Sequence, residues 1–180
     1  MEGKGVLKNA KGEEYTGEFK NGFKHGKGKM EYKNQSSYEG EWWYNKWQGK
    51  GTYISPEGDR YEGDFKDNKK FGYGICHFSN SMRFEGYWNN NLAEKGELFL
   101  KDGTHFEGEW KDDKLSGVGV IKFANGDVFE GEWKEFKPHR YGKIVYKNGR
   151  AYNGEWLYGM RHGHGVISYL NGDAYEGNWV

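Results

Sequence analysis

The 180-residue sequence has little cysteine, with one residue, and little proline, with two. It has no net charge, because 27 basic side chains balance 27 acidic ones. No stretch approaches the ~18 apolar residues of a membrane-spanning helix. The opening residues Met1-Glu2-Gly3-Lys4-Gly5 lack the apolar core of a secretory leader. A lone cysteine excludes an internal disulfide framework, so a reducing, cytoplasmic compartment is expected. Balanced charge removes the bulk-electrostatic case for nucleic acid as a partner. A mean hydropathy of −1.10 raises disorder as an alternative. Disordered chains are poor in aromatics, however, and 18% of these residues are aromatic.

Glycine is what the chain has in excess, 30 residues where an average chain holds roughly 7%. Its distribution is periodic. Tyr-Glu-Gly-Glu-Trp at 38–42 recurs as Tyr-Glu-Gly-Asp-Phe at 61–65 and as Phe-Glu-Gly-Glu-Trp at 106–110 and 129–133. With the leading aromatic as position 0, units start at Tyr15, Tyr38, Tyr61, Phe84, Phe106, Phe129, Tyr152 and Tyr175. The period is 23 residues, shortened to 22 after Phe84. Every glycine then falls at position 2, 7, 11, 13 or 20, allowing for that deletion. The chain reads as one repeat domain over residues 1–180. It comprises a half unit at 1–14, units at 15–37, 38–60, 61–83, 84–105, 106–128, 129–151 and 152–174, and a half unit at 175–180.

Each unit predicts a β-hairpin. Positions 0 to 4 alternate aromatic with polar or glycine, the two-residue period of a half-buried strand. Positions 11 to 17 form the second strand, and position 15 is always apolar: Leu7, Met30, Tyr53, Cys76, Leu98, Ile121, Ile144 and Ile167. Asn125-Gly126, Asn148-Gly149 and Asn171-Gly172 mark turns between units. No segment carries a helical apolar period, so essentially no helix is expected. A bare glycine leaves room for a neighbouring ring to lie across the backbone, which stabilises glycine-containing sheets. Turn parity, which the sequence leaves open, decides whether the Gly-x-Gly of the second strand shares the rings' side; the common side is assumed, since a bulky strand needs a bare neighbour. Acids at positions 1 and 3 face the other side, opposite Lys27, Lys29, Lys50, Lys122 and Lys143.

These residues resemble the MORN repeat (membrane occupation and recognition nexus). Its aromatic-x-Gly-x-Trp, short loop and Gly-x-Gly match Tyr152-Asn153-Gly154-Glu155-Trp156 through Gly163-His164-Gly165. The resemblance implies an all-β fold, an elongated, curved, single-layer antiparallel sheet of consecutive hairpins. It also implies a non-enzymatic role in scaffolding, dimerisation, or docking to cytoskeletal, ciliary or membrane structures. Two units depart from the pattern. The Phe84 unit lacks a loop residue and the first glycine of Gly-x-Gly, and the Phe129 unit has Arg140 at that glycine.

A lone sheet exposes one apolar face, and nothing in the sequence obviously covers it. Curling would leave an aromatic-lined concave groove suited to a helical or extended segment of a protein partner. Its candidate lining is Tyr38, Trp42, Tyr61, Phe65, Phe84, Trp88, Phe106, Trp110, Phe129, Trp133, Tyr152 and Trp156. A second candidate contact is the edge of hairpin loops bearing Trp43, Tyr44, Trp47, Phe71 and Phe136, since exposed tryptophan and tyrosine are enriched at interfaces. The same loops are rich in base, and Lys20, Lys24, Lys46, Lys66, Lys69 and Lys70 are the candidates for touching an anionic membrane. A peripheral membrane tether is therefore the alternative to a cytoskeletal or ciliary scaffold. Bare strands at both ends leave open a homodimer, a subunit of a larger complex, or part of a longer array.

Catalytic, metal and cofactor readings find no support. His162-Gly163-His164 lacks further ligands at metal-site spacing. Cys76 and His77 alternate across the sheet, so they do not form a nucleophile–base pair. The Gly-x-Gly stretches lack the following helix of a phosphate cradle.

Overall fold

The computed structural model describes residues 1–180. It has no helix, and 68% of residues lie in strands. The sixteen strands pair antiparallel in sequence order as one open sheet that does not close into a barrel. By its internal packing the chain divides into two units, Met1–Leu92 and Ala93–Val180. The first holds β1 (Gly3–Lys8), β2 (Glu14–Lys20), β3 (Phe23–Glu31), β4 (Ser37–Trp43), β5 (Lys46–Ile54), β6 (Arg60–Lys66), β7 (Lys69–His77) and β8 (Arg83–Asn89). The second holds β9 (Leu92–Phe99), β10 (His105–Lys111), β11 (Lys114–Lys122), β12 (Val128–Lys134), β13 (Lys137–Val145), β14 (Ala151–Leu157), β15 (Met160–Ser168) and β16 (Ala174–Trp179). The border falls in the irregular Phe84 unit.

The strands run further than the sequence pattern indicates, and the connection inside each repeat is two residues. Tyr44-Asn45, Asp112-Asp113 and Glu135-Phe136 all have positive φ at both residues, the geometry of a type I′ hairpin turn. Asn21-Gly22 is one of these inner turns, with φ +51° and +82°, but the pairs at 125–126, 148–149 and 171–172 sit in the other connection, between repeats. Gly126 donates its N–H to Phe123 O (2.9 Å), and the Asn125 side chain accepts from Asp127 N–H (2.9 Å). That is a type I turn closed by a left-handed glycine, not the two-residue turn such pairs usually signal.

The two glycines of Gly-x-Gly do different things. The second faces its partner glycine under the ring, as Gly17 opposite Gly28 beneath Tyr15. The first lies in a bulge where β3 carries two extra residues, Gly26 and Lys27, between Gly17↔Gly28 and Glu18↔His25. Gly26 has φ +59°, and a Cβ there would strike the Glu18 carboxylate, on the charged face. The expected common facing therefore holds for position 13 and fails for position 11, because the bulge turns the chain over. Arg140 occupies the same bulge position at φ +61°, with Nη1 3.3 Å from Glu132 Oε2.

Tyrosine at position 0 runs along its own strand beneath the glycines and donates its hydroxyl to the main-chain carbonyl three residues on. The pairs are Tyr15–Glu18 (2.9 Å), Tyr38–Glu41 (2.9 Å), Tyr61–Asp64 (3.1 Å) and Tyr152–Glu155 (3.0 Å). Tryptophan at position 4 reaches back one repeat. Its indole N–H donates to the carbonyl of a position-13 glycine, as from Trp42 to Gly28 (2.9 Å), Trp133 to Gly119 (2.9 Å) and Trp156 to Gly142 (2.9 Å). Rings meet edge to face, Tyr15–Trp42 at 5.1 Å and Phe129–Trp156 at 5.1 Å between centroids, each contact worth about 0.5–1.5 kcal/mol beyond its buried area.

Burial pushes the Tyr15 phenol up to about 12, with the Glu18 carboxylate adding to the shift. Burial raises Tyr38 and Tyr61 further, each beside a carboxylate. An unfolded tyrosine ionises near 10, so between these values the folded chain holds protons that the unfolded chain has released. Stability is then fully present below about pH 10 and falls as pH rises toward 12. Urea midpoints measured across this range should drop, with the buried phenols ionising only as the chain unfolds. A midpoint that stays flat to pH 12 would contradict the burial.

Candidate functional site

The twelve rings read from the sequence as a groove lining are mostly interior. Tyr38, Tyr61 and Tyr152 are fully buried, and Trp42, Phe65, Phe84, Trp88, Trp110, Phe129, Trp133 and Trp156 are buried as well. Phe106 alone is half-buried. The sequence reading found no cover for this face; the structure supplies it from position 9, just after each type I′ turn. Lys24 Nζ lies 5.1 Å from the centroids of both Tyr15 and Trp42. Lys70 Nζ lies 4.9 Å from Tyr61 and 4.6 Å from Trp88, and the Arg161 guanidinium lies 4.9 Å from Tyr152 and from Trp179. Trp47 stacks on Tyr38 at 4.4 Å with planes 8° apart, and Leu115 fills the same place with no exposure. Cation–π contact keeps the lysine stems folded over the rings. Burial lowers the Lys24 ammonium from its ordinary value. The ladder is thus the core of a single-layer sheet, and any segment laid on this face meets the caps before the rings.

The five loop-edge candidates separate. Trp43 and Tyr44 stay together on the charged face beside Phe23 and His25. Centroid distances there are 5.1 Å for Trp43–Tyr44, 5.6 Å for Phe23–Tyr44, 4.5 Å for His25–Trp43 and 5.1 Å for His25–Tyr44. Trp43 is 54% exposed, Phe23 43% and Tyr44 40%. Trp47 turns to the opposite face, onto Tyr38. Phe71 is exposed beneath Lys66, and Phe136 leans on Phe106 and Trp110 at 5.9 and 5.6 Å. Phe23 belongs to this edge, as its place in a neighbouring hairpin loop suggests, whereas His25 was missed because position 10 read as loop; both lie on β3 across from the strand bearing Trp43.

Most of the lysines proposed for a membrane are engaged. Lys24 and Lys70 cap rings, Lys46 pairs with Asp67 at 2.7 Å, Lys66 sits over Phe71, and Lys69 donates to Asn90 (3.4 Å). Lys20 is exposed at the end of β2. On the charged face, glycines 17, 28, 40, 51 and 63 floor a shallow trough flanked by lysines and glutamates. At its margin, Lys50 pairs across the strands with Asp64 at 2.9 Å. No group of three or more His, Cys, Asp or Glu side chains converges anywhere, and Cys76 is buried with its thiol raised by desolvation.

The model of the MORN repeat family matches residues 15–37, 38–60, 61–83, 106–128, 129–149 and 152–174. The chain belongs to the MORN-repeat family. The unmatched MORN-like unit is the irregular one at 84–105, whose strands β8 and β9 nonetheless form around a two-residue turn at Asn90-Asn91. No curated protein matches the MORN chain. Among solved structures it is similar in fold to the TCP10 domain of Danio rerio CPAP, at 9% identity and a TM-score of 0.58, over 97% of this chain and 83% of that one. It is also similar to the TCP domain of SAS-4 of Drosophila melanogaster, solved in complex with a proline-rich motif of Ana2. There the identity is 13% and the TM-score 0.53, over 96% of this chain and 88% of that one. No helix is long and apolar enough to cross a membrane.

Proposed function

We propose that this protein is a non-enzymatic scaffold or adaptor that captures a segment of a partner protein within a cytoskeletal or ciliary assembly. The observation that carries the reading is the exposed cluster of Phe23, Trp43 and Tyr44 around the half-buried His25. It is aromatic, prearranged by mutual ring contacts, and set on a β-strand frame that packs its own core and needs nothing from these side chains. Clustered exposed aromatics of this kind are the anchors of interfaces, because they bury large area at little entropic cost. Membership in a repeat family built from open hairpins supports the reading, as does likeness in fold to a domain solved with a segment of another protein.

The test is capture of partners from the native cell by tagged protein, compared with Phe23→Ala/Trp43→Ala. Loss of an anchor typically costs about 2 kcal/mol or more, so affinity for the captured partner should fall by roughly thirtyfold. The unfolding midpoint should hold, since both side chains are largely exposed. Undiminished capture would remove the cluster from the account.

A further inference from the structure

The repeat is its own internal comparison, and one unit departs from it twice in the same place. Position 9 is Lys24, Lys70, Ala93, Leu115, Pro138 or Arg161, and tryptophan only at Trp47. Position 15 is aliphatic, Met or Cys in every other unit, and tyrosine only at Tyr53. The two meet, Trp47 and Tyr53 at 5.2 Å between centroids, with Tyr32 of the preceding unit 6.3 Å from Trp47. Burial raises the pKa of the Tyr32 hydroxyl. All three rings are half-buried and border an open hollow of about 900 Å³. Elsewhere a cap only closes the ladder; here it also builds an aromatic wall facing outward.

We propose that this hollow binds a proline-rich segment in the polyproline II conformation. The proposal rests on the adaptor reading and names the chemistry of a partner. Asn45 and Asn68 line the hollow, and their side-chain oxygens are already committed, accepting from Lys24 N–H and Trp47 N–H at 2.8 Å each. Their amide NH2 groups are left as donors, together with the Tyr53 hydroxyl. A polyproline segment offers flat apolar rings and free carbonyl acceptors with no N–H at proline, the complement of aromatic faces plus donors. The hollow holds one acid, Glu13, and one base, Lys33, so it does not select a charged ligand; one Glu13 oxygen is moreover bonded to Asn9 (2.7 Å). Trp47 meets both tyrosine rings, so the wall is continuous through the indole. A ligand already extended loses little entropy on docking.

The probe is decaproline, acetylated and amidated, titrated calorimetrically into the full chain and each variant, with the Trp47 indole N–H resonance of the wild type followed in parallel. The variants come from the repeat itself: Trp47→Lys, the residue that caps rings at Lys24 and Lys70, and Tyr53→Ile, the residue at Ile121, Ile144 and Ile167. Both keep a residue type the fold already accepts, which an unchanged unfolding midpoint verifies. The wild type should bind saturably, about tenfold tighter than either variant and about tenfold tighter than it binds a glycine–serine peptide of equal length. Equal binding of the two peptides, or full binding by the variants, would overturn the proposal. So would preferential binding of a trimethyl-lysine peptide or an oligosaccharide. If decaproline fails while partner capture still depends on Phe23 and Trp43, the hollow is refuted and the adaptor reading stands. If decaproline binds but capture ignores Phe23 and Trp43, the hollow stands and the edge cluster does not.

Discussion

Gly51→Ala is expected to destabilise the protein by about 3 kcal/mol, near the upper end for overpacking a core. A Cβ at residue 51 would sit 2.6 Å from the Tyr38 hydroxyl oxygen, 2.7 Å from Cε2 and 2.8 Å from Cζ. The ring cannot step aside. Tyr38 is fully buried, its hydroxyl is bonded to Glu41 O, and Trp47 is stacked on its face at 4.4 Å. For a domain of this size the expected fall in Tm is roughly 6–12 °C. Gly5→Ala is the matched control, at the same repeat position. No tyrosine lies beneath Gly5, the nearest atoms belong to Phe19 at 3.4 and 3.7 Å, and φ is outside the left-handed region. That substitution should be neutral or stabilising by up to about 1 kcal/mol, since alanine narrows the unfolded ensemble. Equal effects at both positions would show that the glycine row is not there to admit the rings.

The second large effect is at Trp133. It is 4% exposed, meets Phe129 edge to face at 4.7 Å, and its indole N–H reaches Gly119 O at 2.9 Å in the preceding repeat. Trp133→Ala removes ring and hydrogen bond together and is expected to cost about 3–5 kcal/mol. Trp133→Phe keeps a ring and deletes the donor, so about 1 kcal/mol is expected. Phe65 fills the equivalent place in another unit and is buried at 3% exposure, which shows that the position accepts phenylalanine. The difference between the two variants, read from urea midpoints, separates ring packing from the inter-repeat hydrogen bond. If Trp133→Phe costs as much as Trp133→Ala, the hydrogen bond rather than the ring carries the coupling.

The sequence exposed the repeat, the strand alternation and the ring-over-glycine geometry because each depends on a residue type that recurs at a fixed position. What it hid depends on positions without common chemistry. The caps at Lys24, Trp47, Lys70, Leu115 and Arg161 share a location but neither charge nor hydropathy, so no pattern marks them as core. Without them the ladder looked open, and its twelve rings read as a groove for a partner. The tight turns were hidden for a similar reason. Type I′ geometry usually advertises itself as Asn-Gly, yet Tyr44-Asn45 and Glu135-Phe136 adopt it, while Asn125-Gly126 serves a longer connection. The bulge at Gly26 was invisible as well, because inserting two residues keeps the two-residue alternation intact and leaves no mark in the pattern. Knowing the caps moves attention from the ring face to Phe23, Trp43 and Tyr44, which support no core and remain available.

The most direct test of partner capture through that cluster is site-specific photocrosslinking in the native cell. A photoreactive side chain at position 43 is compared with one at position 122, on the exposed end of β11. Discrete protein adducts at position 43, absent at position 122, are the expected result. No adduct at position 43, or the same adducts at both positions, would contradict the account.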